Sequence, residues 1–425
     1  MSDAGESLGS DRVGRGSAKR LAIIFVCLFF FSIAFILGSM SLYVMFAAAV
    51  SVPLLSYAIG RTSVRRLRIE RRMARHMSEG EVRQVRLRIT NTGRLRKLYA
   101  CVADELPQWM QSSAPGGHLI ADLGAGETTE VAYRLTALKR GVYRVGPVRL
   151  HGGDPAGLFD YQARASDATE VVVYPVAGRI ASLTVGRGTP FAAATLGRRP
   201  VPEGTDFRSI REYRPGDPLR RIHWKSSAHA GQFNVIEFEE SIASDVAVAL
   251  DLTAGSEVGT GRDTTLEYGI KLAVATAEHA LSNGSSCRLT ARAAIDRSVD
   301  CTHMVRDLPR LLEALARATA DCPEPFATVL GGIAARLERG ASLMVISPST
   351  DSALVPIVRG LVLNGVSVHV FCLRADTFAA HAGRQTRAAG LAGQYAAFAS
   401  RVAATGASVR EIRCGSDPVV QIGGR

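Results

Sequence analysis

The chain has 425 residues, 47% hydrophobic and 21% charged, too long for one ordinary domain and apolar enough to build cores. That balance excludes a wholly disordered chain, and 17 Pro without a Gly-X-Y period exclude a collagen. The net charge of +12 is local, since residues 61–99 hold thirteen Lys/Arg against three Glu; without interleaved aromatics or an RNA motif, that run does not read as nucleic-acid binding.

Residues 1–20 form a short polar tail. Residues 21–60 contain no Asp, Glu, Lys, Arg or His. As one helix they would measure about 60 Å, twice a hydrocarbon core of about 30 Å. The reading is therefore a membrane α-hairpin, Leu21–Leu37 and 42–59, turning at Gly38-Ser39-Met40-Ser41. Lys19 and Arg20 precede it and Arg61, Arg65 and Arg66 follow. The positive-inside rule then places both termini and the bulk of the chain in the cytoplasm of a bacterial cell, anchored at its membrane. A cleaved signal peptide has a much shorter apolar core. The basic segment 61–80 is expected to pair with anionic lipid headgroups.

Residues 81–175 read as a β-sandwich-like module. Val85-Arg86-Leu87-Arg88-Ile89 alternates with period two and Asn91-Thr92-Gly93 supplies a turn. Further strand-like runs fall at 99–103, 130–135, 142–150 and 171–174. Residues 176–203 read as a linker. From 244 to 425 strands alternate with helices: strands at 246–252, 287–291, 342–346, 366–372 and 408–413, with helices at 266–281, 308–318, 327–338, 354–363 and within 383–403. Such alternation predicts an α/β doubly wound parallel sheet, whose ligands bind at the carboxyl ends of strands. Asp251, ending the first of them, marks that edge.

Residues 204–243 are distinctive. Pro215-Gly216 predicts a tight turn, with Asp217 as a helix N-cap, Pro218 at the first helical position and a helix to about Ala228. A strand resumes over 232–240. The bland role for Arg211, Glu212, Arg214 and Asp217 is a charge network holding that helix. The sharper role is partner binding through Arg211, Tyr213, Gly216, Asp217, Arg220 and Trp224, because Arg, Tyr and Trp dominate interface hot spots.

The run Ile210-Arg211-Glu212-Tyr213-x-Pro215-Gly216-Asp217-x-x-Arg220-x-Ile222-His223-Trp224 resembles the signature of the bacterial domain-of-unknown-function family number 58 (DUF 58). Arg140-Gly141-Val142-Tyr143-x-Val145-Gly146-Pro147 and Asp154-Pro155-x-Gly157-Leu158-Phe159 resemble it too. The resemblance implies a membrane hairpin, a β region and a von Willebrand factor A-like C-terminal domain. It also implies a non-enzymatic adaptor or assembly role beside a MoxR-type AAA+ ATPase, in protein-complex maturation or envelope processes. It carries no catalytic residues.

In A-domains the first strand is followed by D-x-S-x-S, whose hard oxygens hold Mg²⁺. Here Asp251 and Thr253 fit, Gly255 replaces the second hydroxyl, and Ser256 lies one position away. A degenerate site follows, with no cofactor or at most Mg²⁺. No Walker A loop, H-E-x-x-H or G-x-S-x-G occurs. Seven scattered Cys form no C-x-x-C pair and read as free thiols in a reducing compartment. The competing expectation is a cell-envelope hydrolase or transferase with an unrecognised active site.

Overall fold

The computed structural model describes residues 4–154, 158–178, 180, 184–185, 189–190, 207–213, 222–238, 245–415 and 417–422. It divides into two compact units, Met1–Val173 and Tyr174–Arg425.

In the first unit the uncharged stretch folds into two helices, α1 (Ala4–Leu37) and α2 (Met40–Ser63). Helix α1 begins well before the expected boundary, so residues 4–20 are continuous with it as helix. Helix α2 is long and apolar enough to cross a membrane, whereas the apolar part of α1, Leu21–Leu37, is shorter. Leu21, Phe25, Phe35, Leu54 and Leu55 point outward without cover, a surface that water does not tolerate as a contiguous patch.

The strands that follow are β1 (Leu67–Arg72), β2 (His76–Ser78), β3 (Val82–Asn91), β4 (Lys97–Asp104), β5 (Met110–Ser112) and β6 (His118–Leu123). Then come β7 (Thr128–Ala137), β8 (Gly141–Val145), β9 (Val148–Gly153), β10 (Asp160–Arg164) and β11 (Thr169–Tyr174). They build three antiparallel sheets, ordered β1-β3-β7-β5, β10-β9-β4-β6 and β2-β11-β8. One apolar core serves all three, with Leu87, Ile89, Val102, Leu135, Leu150 and Val173 at its centre. The β region starts at Leu67, inside the segment expected to be a basic juxtamembrane stretch. Leu67 and Ile69 face the core there, and Arg71 is drawn inward by a buried carboxylate. The expected run 142–150 divides at Gly146-Pro147, since proline has no N–H for a ladder.

The second unit opens with two short strands, β12 (Thr184–Val185) and β13 (Thr189–Pro190), in the segment read as a linker. A ribbon follows, β14 (Phe207–Glu212) against β15 (Asn234–Phe238), with helix α3 (Trp224–Ala230) between them in sequence. The α/β part contains β16 (Val246–Leu250), the small ribbon β17 (Gly259–Thr260) and β18 (Asp263–Thr264), α4 (Thr265–Ser282), β19 (Cys287–Thr290) and β20 (Val299–Cys301). It continues through α5 (Met304–Ala316), α6 (Phe326–Ala334), β21 (Ser342–Ser347), α7 (Leu354–Leu363), β22 (Ser367–Leu373), α8 (Ala375–His381), α9 (Gln385–Ala403), β23 (Ser408–Ile412) and α10 (Pro418–Gln421).

Its sheet has the order β20-β19-β16-β21-β22-β23. All pairs are parallel except the antiparallel edge strand β20. Every residue of β16 and β21 is buried, which requires cover on both faces and explains their unbroken apolar sequence. The chain leaves β16 toward β19 and later returns to its other side as β21. The strand order therefore reverses between β16 and β21, where crevices of open α/β sheets form.

Candidate functional site

Two places in the second unit collect the residues singled out from sequence. The first is the β14–β15 ribbon with α3. Arg211 and Glu212 pair through the backbone with Val235 and Asn234. The expected continuous helix from Asp217 to Ala228 is corrected within the described residues: Ile222 forms a β-bridge to Val235, and the helix that reaches Ala230 starts at Trp224. The reason is burial, because Ile222 and Val235 close against each other. His223, not Asp217, supplies the cap, its Nδ1 accepting from Ser226 N–H at 3.1 Å. Gly216, Asp217 and Arg220 lie outside the described residues.

A polar lock fixes α3 on β15. Ser227 Oγ donates to His223 O (3.0 Å) and accepts from Asn234 N–H (2.9 Å), while Asn234 Nδ2 donates to Ser226 Oγ (3.0 Å). The lock leaves aromatic rings outside. Trp224 is 66% exposed and Phe233 56% exposed. Trp224 meets Phe233 edge-on at 6.3 Å and 88°, and Tyr213 meets the same ring at 6.2 Å and 71°. Tyr213 and Trp224 were legible from sequence, whereas Phe233, the hub, was not. Its only signal is a large apolar residue between Gln232 and Asn234, where a strand entry would normally be polar.

The second place is a cleft of about 370 Å³ at the carboxyl ends of β16 and β21. Asp251 leaves β16 at its base. Oδ1 accepts from the N–H (3.0 Å) and hydroxyl (2.7 Å) of Thr253, and Oδ2 from the Ser347 hydroxyl at 2.6 Å. Ser347 Oγ in turn accepts from Ser349 N–H at 2.9 Å. Phe326 and Tyr395 form apolar walls, and the Tyr395 phenol donates to Pro348 O at 2.5 Å. Burial pushes that phenol above its ordinary range, so it remains a donor.

Asp251 and Thr253 are thus brought together, and Ser256 lines the same cleft. The oxygens are of the hard type Mg²⁺ takes. Yet both Asp251 oxygens already receive donors from the chain, and Gly255 places no hydroxyl where the adhesion pattern has its second. The residues as arranged do not fit a preformed Mg²⁺ cage. Among the described residues, no group of three or more His, Cys, Asp and Glu gathers to hold a metal ion, here or elsewhere.

Three buried thiols offer little nucleophilic character. Burial pushes Cys287 and Cys372 up to about 12 and Cys301 up to about 11, so they stay protonated at neutral pH.

The first unit holds a cluster not foreseen from sequence. Arg71 and Asp104 form an ion pair whose side chains are 3% and 2% exposed, and the Tyr133 phenol donates to Asp104 Oδ2 at 2.5 Å. Burial and the neighbouring Asp104 carboxylate hold that phenol well above its ordinary value. The partners are 33 and 29 residues apart, which is why no local pattern signals them.

Comparison with known proteins places both parts of the second unit in one match. The sequence model of a family described as "Protein of unknown function DUF58" matches residues 209–352, which hold the aromatic ribbon, Asp251 and Ser347. The "Uncharacterized protein YeaD" of Bacillus subtilis (strain 168) is 26% identical over 159 residues, 36% of this chain and 39% of that protein. The match thus spans well under half of that relative. Among solved structures, the CARDB domain of the PF1109 protein from Pyrococcus furiosus aligns at a TM-score of 0.17 and 15% identity, over 25% of this chain and 91% of that one. Native alpha-2-macroglobulin of E. coli aligns at 0.21 and 17%, over 37% of this chain and 8% of that one. At such scores the likeness carries no argument.

Proposed function

We propose that the chain is a membrane-anchored, non-enzymatic adaptor that works with a MoxR-type AAA+ ATPase in complex maturation or envelope processes. Both helices cross the bilayer, and both termini and the two units lie on the cytoplasmic side. The second unit is a von Willebrand factor A-like domain, and its ribbon and sheet-top cleft contact the partner. The observation that carries this reading is the Tyr213–Phe233–Trp224 cluster, in which Tyr213 and Trp224 both pack edge-on against Phe233 and two of the three rings are mostly exposed. Exposed aromatics with polar support are the residues that dominate interface energetics. The strand order, with Asp251 at its reversal, supports the A-like assignment.

The test is affinity purification of the tagged full-length protein from its own membranes, with and without ATP, beside Trp224→Ala. An AAA+ ATPase whose recovery changes with nucleotide is expected. Truncating a hot-spot tryptophan weakens binding by about 2 kcal/mol, roughly thirty-fold. No ATPase under gentle crosslinking, or equal recovery by Trp224→Ala, refutes the reading.

A further inference from the structure

The first unit contains a cavity, about 690 Å³ in volume, between α1 and α2. It is apolar throughout. Phe31 and Phe46 close its deep end, their rings 5.2 Å apart. Its shallow end is formed by Ile23, Tyr57 and Phe159. From Phe46 to Tyr57 the helix advances about 16 Å, at 1.5 Å per residue. That is half of a hydrocarbon core of about 30 Å, the depth of one leaflet.

The shallow end is built, not left open. The Phe159 ring packs edge-on against Tyr57 at 5.5 Å and 76°. It is held there because Asp154 Oδ1 accepts the N–H groups of Leu158 (2.9 Å) and Phe159 (2.7 Å). Asp154 thus fixes the two apolar side chains of Leu158 and Phe159 against the cavity's mouth.

Beside that mouth stands positive charge. Arg61 lies one turn beyond Tyr57, donates to its hydroxyl at 2.8 Å and sits 5.9 Å from the ring centroid. Lys19 lies one turn before Ile23 on α1, exposed at the same end. Among the described residues no carboxylate pairs with either cation. A groove one leaflet deep, hydrocarbon along its length and cationic at the wet end, has the profile of one anionic glycerophospholipid.

We propose that the hairpin holds such a lipid as a bound ligand, one acyl chain in the groove and the phosphate at Arg61 and Lys19. This rests on the membrane anchoring proposed above. The lipid fills the space the two helices leave unpacked and extends the contact between hairpin and β-rich unit.

The full-length protein would be reconstituted in nanodiscs of phosphatidylglycerol and phosphatidylcholine, then released into mild detergent for native mass spectrometry. Flotation and carbonate extraction of the same membranes report anchoring separately. Wild type is expected to retain one phosphatidylglycerol, enriched over the bulk ratio. Arg61→Gln, at an exposed position, is expected to lower that enrichment by about five-fold, the weight of one juxtamembrane cation. Val50→Trp, which fills the groove, is expected to abolish retention while the protein still floats. Carbonate-resistant wild type that retains lipid only at the bulk ratio overturns the proposal while leaving the anchor intact. Unchanged enrichment in Arg61→Gln overturns it as well. Extraction of wild type by carbonate overturns anchor and lipid site together.

Discussion

Replacing Asp104 by Ala is expected to destabilise the first unit by about 4 kcal/mol, the cost of leaving one member of a buried ion pair behind. The structure makes this a severe case. Arg71 leaves β1 in one sheet and reaches Asp104 at the end of β4 in another, with Nε 3.3 Å from Oδ2 and Nη2 on Oδ1. Its Nη1 donates to Val145 O (3.0 Å), Asp167 O (3.1 Å) and Thr169 Oγ1 (3.0 Å), beside the third sheet. One guanidinium therefore ties three sheets, and it cannot turn to water without abandoning all of them. Gly146 gives it room, since a Cβ there would stand 2.3 Å from Nη2. Asp104→Ala also removes the acceptor of the Tyr133 hydroxyl. Tyr133→Phe, which removes only a donor to a charged acceptor, is expected to cost about 1.5–3 kcal/mol. A total stability of about 5–15 kcal/mol makes the Ala variant marginal.

The assay is urea unfolding of the full chain in detergent, read by tryptophan fluorescence. The protein has 2 Trp, and Trp109 belongs to the first unit. In a Trp224→Phe background the signal reports that unit alone. The order Asp104→Ala worse than Tyr133→Phe worse than wild type is expected. A loss below about 1 kcal/mol for Asp104→Ala, the range of exposed pairs, would refute the claim that the pair is desolvated.

Two further outcomes follow from packing and burial. In Gly152→Ala the new Cβ would lie 2.2 Å from Ser63 Oγ and 2.7 Å from Val64 Cγ1, so β9 and the end of α2 must part. A cost of about 1–3 kcal/mol, the range for overpacking, is expected in the same fluorescence assay, and an unchanged midpoint contradicts the close approach. In the second unit, burial, with Arg410 adding repulsion, lowers His369 to about 4. The unfolded chain takes the proton first, so this contribution is full above pH 6.5 and is lost as pH falls from about 6.5 to 4, by about 1.4 kcal/mol per unit. Thermal unfolding of wild type and His369→Phe at pH 7 and pH 5 checks it: the wild type should lose more on acidification, and parallel losses would contradict the assignment.

Much of the second unit was legible because each buried strand is a short apolar run and each helix an amphipathic one. Strand β21 and helix α7 lie within a residue of their expected bounds. Strand β20 was not, being three residues long and antiparallel at an edge. In the first unit, β1 was hidden by its own charge. Leu67-Arg68-Ile69-Glu70-Arg71-Arg72 alternates, but Arg71 occupies an inward position, and its partner is remote in sequence. The site shows the same division. Asp251 could be read as a strand end, whereas Ser347, which bonds it, stands 96 residues away and becomes its neighbour only through the strand order.

The basic run makes the wider point about reading charge from sequence. Seen as composition, residues 61–99 form one cationic stretch, of which 61–80 is expected at the lipid surface. In the fold the charges part. Arg71 is consumed by Asp104, and Lys97, nearly inaccessible, gives its ammonium to Thr62 O at the end of α2. A cation at a helix C-terminus is favourable there, and burial lowers the Lys97 ammonium below its ordinary value. Arg61, Arg65 and Arg66 remain exposed at the base of the hairpin. The inward charges join the sheets to one another and to the helix, whereas outward ones farther along the run, Arg68, Arg83 and Arg96, pair with the surface carboxylates of Glu70, Glu81 and Asp122. A substitution that removes an inward cation should therefore act on folding, and Arg61→Gln at the hairpin base should leave folding unchanged and act on the proposed lipid site, although the two kinds stand close together in the sequence.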